Sequence, residues 1–337
     1  MQTKINVAHL RLISPENVWG SVWEREHTFR HLKELGINVD YFYEGCKATP
    51  QTVAGYDILN IGEFSFGDWQ QPFIREHKKP VIMFQETSYK SLAAGSKNVD
   101  MELIKSKPYF IALTNWSRDM LIHFGINGNK ISVIHCAADL ETFKPGKTET
   151  DLEKPVFLYV GSFNKKKGAH HAVRCFSEVD SGSLLMVEGE FNNDDSKLIR
   201  ELISDLNIED RVIIKPFPSL KDLPGYYHIS DLVIYPQSYK EGEPIQFGHP
   251  LLWGLSCGLP LISLNMGGAK DLIYDGVNGY LCNSYADMIL NMKHLAGDAL
   301  LREQLGRASY SLATNKFHPA HIGNRYKMFY RRVLNEN

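Results

Sequence analysis

Residues 161–168, Gly-Ser-Phe-Asn-Lys-Lys-Lys-Gly, combine positive charge with glycine where a strand is expected to meet a helix. The apolar run Val156–Val160 precedes them, and a helical pattern begins at Gly168. A nucleotide diphosphate needs cations and backbone N–H donors at such a turn. The same residues also fit a solvated basic turn, and they lack the G-x-G-x-x-G pattern of a dinucleotide-binding loop. The stretch is therefore either a diphosphate-binding site or a solvated basic turn without a ligand.

A second candidate ligand edge lies in residues 231–281. Asp231–Tyr235 and Leu261–Leu264 are expected strands, and the adjacent glycines Gly267 and Gly268 follow the second strand. Adjacent glycines let backbone N–H groups approach an anionic ligand closely. Because ligands of open α/β sheets bind at the carboxyl ends of strands, we expect this segment to form a binding edge as well as core.

Acidic and aromatic side chains in polar stretches are the other candidates for chemistry. Glu86 follows an apolar strand and could act as a general base, although a glutamate at a strand end is more often a solvated cap than a catalyst. Glu241 and Glu243 lie in a polar loop, and solvent-facing loop charges are the alternative. Trp19, next to Gly20, would suit stacking on a sugar face, and a buried core aromatic is the alternative.

The composition indicates a globular protein of two ordinary domains. The 337 residues are 43% hydrophobic and 23% charged, and the net charge of −2 does not favour nucleic acid as a partner. A membrane span needs about 20 apolar residues, and no apolar stretch of the sequence is that long. No signal peptide is visible. Peripheral membrane contact is compatible with the sequence but not indicated by it. The five cysteines contain no C-x-x-C pair and the histidines lack metal-ligand spacing, so reduced thiols, a cytoplasmic location and no metal are expected.

Strand and helix patterns alternate along the chain, which predicts an α/β protein with doubly wound parallel sheets. The polar stretch Thr148–Pro155 reads as a linker, so we predict domains at residues 1–150 and 151–317. The predicted strands are 4–10, 37–43, 56–61, 80–85, 108–113 and 130–135 in the first domain, and 156–160, 184–188, 211–215, 231–235 and 261–264 in the second.

Several short motifs resemble those of the retaining glycosyltransferases of family four (glycosyl transferases group one), and the resemblance covers nearly all of the chain. It implies the GT-B fold, in which two doubly wound Rossmann-like domains face a central cleft and the C-terminal helix, residues 318–337, packs back on the first domain. The matching residues are Asp139, Phe143 and Pro145 in ISVIHCAADLETFKP, then Phe247-Gly248, Gly258-Leu259-Pro260, Gly267-Gly268, Asp271 and Asp275–Gly279.

The resemblance implies that the basic turn holds the donor diphosphate. Lys167 and Gly168 match the family's Lys-Gly pair, whereas Ser162 stands at the position of an arginine, for which a neighbouring lysine could compensate. Phe217 would lie near the base, or it is simply a buried aromatic. The donor-binding residues implied in this way are Gly161, Ser162, Lys166, Lys167, Glu188, Phe217, Gln246, Gly248, Gly267 and Gly268.

Two further positions depart from the family's pattern. Ile245 and Trp253 stand where the family has a glutamate that touches the donor sugar and a glutamate that holds the ribose hydroxyls. An indole only donates hydrogen bonds, so ribose binding is expected to differ. The catalytic candidates are then Glu243, displaced into the first role, with Glu241 and Glu86. The acceptor-side candidates are Trp19, Gly20 and Gln85.

The resemblance implies an enzyme that transfers a sugar from a nucleotide diphosphate sugar to a hydroxyl group, with retention and without a metal or other cofactor. The acceptor would be a saccharide, a lipid-linked compound or a small molecule, as in polysaccharide or glycoconjugate biosynthesis. Two alternatives stay open at this point. One is a binding or partner protein with a decayed site, and the other is a sugar-nucleotide epimerase or hydrolase of the same architecture.

Overall fold

The computed structural model describes residues 4–11, 21–43, 46–62, 70–85, 100–189, 193–237 and 247–336. The chain divides into two compact units. Unit 1 comprises Met1–Ala137 and Phe317–Asn337, and unit 2 comprises Ala138–Lys316.

Both units alternate strands and helices in chain order. The strands are β1 Ile5–Arg11, β2 Ile37–Tyr43, β3 Ile58–Ile61, β4 Val81–Gln85, β5 Tyr109–Ala112, β6 Ile131–Val133, β7 Val156–Gly161, β8 Ser183–Glu188, β9 Val212–Pro216, β10 Leu232–Tyr235, β11 Leu261–Leu264 and β12 Gly279–Cys282. The helices are α1 Ser21–Glu34, α2 Pro50–Val53, α3 Gln70–Glu76, α4 Met101–Ser106, α5 Asn115–His123, α6 Ala169–Ser177, α7 Asn193–Asp205, α8 Pro224–His228, α9 His249–Ser256, α10 Ala269–Leu272, α11 Tyr285–Gly297, α12 Ala299–Lys316 and α13 Pro319–Asn335.

Unit 1 is built on a parallel sheet with the strand order β2-β1-β3-β4-β5-β6. Successive residues of its strands face opposite layers, so that Val7 packs beneath α1 and α13 while Ala8 lies in the other apolar layer. The last helix is anchored to this sheet, because Asn60 of β3 donates to the Tyr330 hydroxyl at 2.6 Å. Both faces of the sheet are therefore covered, as the continuous apolar strands require.

Unit 2 is built on a second parallel sheet with the strand order β12-β11-β10-β7-β8-β9. The apolar run Val156–Val160 is buried along its whole length and forms a central strand. The chain leaves β7 for β8 on one side and later returns to β10 on the other, which makes the β7/β10 junction the topological switch point. Such a junction is where an open α/β sheet binds its ligands.

The strands predicted from the sequence are all present with small shifts in their ends, and β12 is a further strand that the sequence patterns did not predict. Two parallel Rossmann-like sheets therefore confirm the predicted fold class. The change of unit falls before the polar stretch predicted as a linker. Residues beyond 137 already bind unit 2, since the ring of Phe143 stacks on Trp253 and the Thr148 N–H donates to the His228 carbonyl at 3.1 Å.

Candidate functional site

The candidate site is the edge of unit 2 where β7 and β10 end side by side. The loop after β7 contains the basic turn, which we define as residues 162–167, and the loop after β10 begins at Pro236. Gly168 is in contact with Pro236, because a Cβ atom added to Gly168 would lie 2.6 Å from the Pro236 carbonyl oxygen. The switch point thus brings the predicted diphosphate site to the place where the sheet topology favours a ligand.

The basic turn owes its shape to local hydrogen bonds. Asn164 caps a short 3₁₀ turn, Lys165–Lys167, and its side-chain oxygen accepts from the Lys167 N–H at 2.9 Å. Gly168 follows with φ of +76°, a left-handed conformation that glycine adopts without steric cost. Lys165 and Lys166 are exposed and Lys167 is half-buried. Their ammonium groups form no ion pair with another described residue.

The glycine pair after β11 contributes backbone donors on the same edge of the sheet. Gly267 has φ of +51°, and Gly268 begins the short helix α10. The N–H groups of both glycines have no hydrogen-bond partner among the described residues. Both residues are buried. Consecutive backbone N–H groups of this kind can bind an anion.

Two other donor-side residues predicted from the sequence are tied into the strand ends. Glu188 ends β8 and is buried, and its carboxylate accepts a short hydrogen bond from the Ser196 hydroxyl. Phe217 follows β9, is half-buried, and donates its N–H to the Glu188 carbonyl at 3.0 Å. The Gly189 N–H in turn donates to the Gly161 carbonyl at 3.1 Å. These contacts hold the ends of β7, β8 and β9 in register beside the basic turn.

Gly248, which has φ of +84°, immediately precedes helix α9, and the helix places Trp253 inside unit 2. The indole is only 4% exposed and stacks on the ring of Phe143 with centroids 5.2 Å apart at an angle of 8°. Its Nε1 atom is buried and has no hydrogen-bond partner among the described residues. Trp253 is therefore packed in the core of unit 2.

The Asp-Gly-Val-Asn-Gly motif forms the turn that leads into β12. Asn278 is 1% exposed, accepts from the Tyr274 N–H at 2.7 Å and donates to the Leu272 carbonyl at 3.0 Å. Asp275 accepts from the Leu281 N–H at 2.9 Å. The polar side chains of this motif therefore satisfy backbone groups, which gives the motif a structural role.

The remaining predicted residues lie outside the described part of the chain or at its edge. Gln85 is the last residue of β4 and pairs with Ala112, and nothing is described of its side chain. Outside the described residues are Trp19, Gly20, Glu86, Glu241, Glu243 and Gln246. Their roles stay predictions.

Sequence reasoning missed two residues beside the basic turn. Tyr159 in β7 and Tyr285 at the start of α11 both place hydroxyl groups against the backbone of the candidate site. Neither belongs to a recognisable motif, because a tyrosine in an apolar strand or at a helix start is ordinary. The described ranges contain no group of three His, Cys, Asp or Glu side chains able to hold a metal ion. Over the same ranges, no helix is long and apolar enough to span a membrane.

The family model of glycosyl transferases group 1 matches residues 141–311, about half of the chain. The chain belongs to this family. Curated relatives include a D-inositol 3-phosphate glycosyltransferase of Pseudarthrobacter chlorophenolicus, 25% identical over 58% of this chain and 49% of the relative. An N-acetyl-alpha-D-glucosaminyl L-malate synthase of Bacillus anthracis is 28% identical over 60% of this chain and 52% of the relative. The chain spans about half the length of the curated relatives it matches.

Solved structures similar to the whole chain establish the fold. A sucrose-phosphate synthase from Thermosynechococcus elongatus superposes with a TM-score of 0.80 at 16% identity, covering 99% of this chain and 100% of that one. The Anabaena protein HepE, in a complex with UDP and glucose, gives a TM-score of 0.75 at 17% identity over 96% of this chain and 98% of the other. The two Rossmann-like units are thus those of the GT-B fold.

Proposed function

We propose that this protein is a glycosyltransferase that moves a sugar from a nucleotide diphosphate sugar to a hydroxyl group of an acceptor. The observation that carries the proposal is the position of the basic turn at the β7/β10 switch point of unit 2. Ammonium groups that form no ion pair with any described residue lie there beside a left-handed glycine, at the place where a parallel sheet binds ligands. Membership of the glycosyl transferases group 1 family supports the same function.

The chemistry that this site would perform is stabilisation of the departing nucleotide diphosphate. Negative charge develops on the leaving phosphate as the bond to the sugar breaks, and fixed positive groups lower the energy of that state. Lys167, with the exposed Lys165 and Lys166, would supply the charge, and the Gly267 and Gly268 N–H groups would supply hydrogen bonds. We propose that the reaction proceeds with retention and without a metal. The leaving phosphate itself would accept the proton of the acceptor hydroxyl.

The names of related proteins suggest which compounds to try first. HepE was solved with UDP and with UDP-glucose, which makes uridine nucleotides the first donors to test. Relatives named for inositol phosphate and for malate point to a small hydroxylated acceptor as well as to a saccharide. A cytoplasmic location fits the five cysteines, which form no disulfide.

The test is binding of UDP, GDP, ADP and dTDP measured by calorimetry on the wild type and on Lys167→Ala. We expect one nucleotide to bind the wild type and to lose about tenfold in affinity in the variant, since a charged contact to phosphate contributes about 1.5 kcal/mol or more. Lys293→Ala is the matched control, because Lys293 is an exposed lysine of the same unit on the helix α11. Absence of binding at millimolar concentration of all four nucleotides would reject the proposal.

A binding protein with a decayed site is the second candidate, and Trp253 favours it. Its buried indole stands where the family pattern has a carboxylate, and it cannot accept hydrogen bonds from ribose hydroxyls. Nucleotide sugars would then bind weakly and would not be consumed. Product analysis with and without an acceptor separates both candidates from an epimerase or hydrolase, which needs no acceptor hydroxyl.

A further inference from the structure

We infer that the hydroxyl groups of Tyr159 and Tyr285 position the basic turn for binding of the donor diphosphate. The inference rests on the proposed function and adds two residues to it. Both tyrosines are positioning residues, because the Tyr159 hydroxyl bonds to the Lys167 carbonyl and the Tyr285 hydroxyl bonds to the Pro236 carbonyl, against which Gly168 packs.

Tyr159 holds the turn from inside the sheet. It is fully buried in β7, and its hydroxyl lies 3.0 Å from the Ser162 carbonyl oxygen and 3.2 Å from the Lys167 carbonyl oxygen. A single O–H therefore lies between the first and the last residue of the basic turn and can be shared by their two carbonyls. Burial raises the pKa of Tyr159 well above its ordinary value, so the hydroxyl stays protonated and remains a donor.

Tyr285 contacts the loop that lies against the end of the basic turn. Its hydroxyl donates to the Pro236 carbonyl at 3.3 Å, and its ring stacks on His171 with centroids 3.9 Å apart at 26°. Gly168 packs against the same carbonyl of Pro236. Gly168, at the end of the basic turn, and Tyr285, at the start of α11, thus both contact the Pro236 carbonyl, where the loop after β10 begins.

Lys167 lies between these two anchors. Its carbonyl accepts from Tyr159, its N–H donates to Asn164, and its neighbour Gly168 contacts the carbonyl held by Tyr285. A lysine side chain has four flexible carbons, so a fixed backbone restricts the volume that its ammonium group samples. Ordering the site before the ligand arrives lowers the entropy cost of binding, and the two hydroxyls would raise diphosphate affinity in this way.

Removal of one oxygen atom at a time tests the inference. Tyr159→Phe and Tyr285→Phe are compared with the wild type by calorimetry, with UDP and UMP as ligands. We expect each variant to lose about three- to tenfold in UDP affinity, as the loss of one hydrogen bond predicts, and less than about twofold in UMP affinity. Tyr280→Phe is the matched control, because Tyr280 is a half-buried tyrosine of β12 without a side-chain hydrogen bond to a described residue.

A double-mutant cycle separates positioning from a general structural effect. If the tyrosines act through Lys167, Tyr159→Phe should cause little further loss of UDP affinity in a protein that already carries Lys167→Ala. Equal losses for UDP and UMP, or losses that add fully to that of Lys167→Ala, would overturn the inference. Thermal denaturation of each variant confirms that folded protein is compared, and Tyr285→Phe alone decides the matter if Tyr159→Phe does not fold.

The result also distinguishes this inference from the proposed function. A wild type that binds UDP while both tyrosine variants behave like Tyr280→Phe contradicts the positioning role and leaves the proposed function intact. A wild type that binds none of UDP, GDP, ADP and dTDP contradicts the proposed function and the positioning role with it. If another of the four binds in place of UDP, that diphosphate and its monophosphate are the ligand pair.

Discussion

The indole of Trp253 lies nearly parallel to the ring of Phe143, with centroids 5.2 Å apart and an angle of 8° between the planes. Phe143 is fully buried and Trp253 is 4% exposed, so the pair forms part of the core of unit 2. Phe143 precedes β7 and Trp253 lies in α9, and the stack joins the start of the unit to the helix that follows β10. The two aromatic rings therefore pack two distant segments of unit 2 together.

We predict that Trp253→Ala lowers the free energy of unfolding by about 3–5 kcal/mol, the usual cost of removing a large buried aromatic side chain. Trp253→Phe should cost about 1.5 kcal/mol or less, since it keeps an aromatic ring in the stack and removes a buried N–H. Chemical denaturation of both variants measures the difference. A small loss of unfolding free energy in both Trp253→Ala and Trp253→Phe would show that the stack contributes little to stability.

Gly168→Ala should disturb both stability and the basic turn. The position has φ of +76°, and the new Cβ would lie 2.6 Å from the Pro236 carbonyl oxygen. We expect a loss of about 1–3 kcal/mol in stability together with weaker nucleotide binding. Gly297→Ala is the control, because a Cβ there meets no atom within 4 Å and the change should be neutral or slightly stabilising. Denaturation and calorimetry on both variants provide the comparison.

Asn278→Ala should destabilise the fold without changing donor binding by the folded protein. The substitution leaves the Tyr274 N–H and the Leu272 carbonyl without the partners that the asparagine side chain supplies. About 1–3 kcal/mol of stability should be lost, as for other buried hydrogen-bonding groups. Denaturation curves measure the loss, and calorimetry below the transition measures binding. A large fall in nucleotide affinity would show that the motif contacts the ligand after all.

His77 should make the stability of the protein depend on pH. The residue is 3% exposed and neither ring nitrogen has a hydrogen-bond partner among the described residues. Burial, with smaller contributions from Lys107 and Lys79, lowers the pKa of His77 to about 4. Below an unfolded pKa of about 6.5 the unfolded chain takes up a proton that the folded protein does not, so stability should fall from pH 6.5 toward pH 4.

The size of this effect follows from the shift in pKa. Each unit corresponds to about 1.4 kcal/mol, which gives roughly 3 kcal/mol over the whole window. The difference in unfolding free energy between the wild type and His77→Leu should change by this amount between pH 7 and pH 4. His123→Leu is the control, since His123 is exposed. A difference that does not vary with pH would contradict the prediction.

Local sequence patterns were sufficient for much of the architecture. Buried runs such as Val156–Val160 are apolar throughout because both faces of a parallel strand are covered. The sequence patterns did not predict the strand β12, because this strand, Gly279–Cys282, has only four residues and begins with glycine. The turn before it depends on hydrogen bonds of Asn278, whose side chain bonds residues four and six positions away.

The sequence by itself determined the alternation of strands and helices, the basic turn and the glycine pair Gly267-Gly268, because these depend on residues close together in the chain. Only the tertiary structure decided that β7 and β10, about 75 residues apart, end side by side. It also decided that the Tyr159 hydroxyl lies between the two ends of the basic turn and that the Tyr285 hydroxyl donates to the Pro236 carbonyl. The physical reason is that the order of strands in a sheet, and the acceptor to which a tyrosine hydroxyl donates, depend on contacts between distant segments. Periodicity and spacing along the sequence do not predict such contacts.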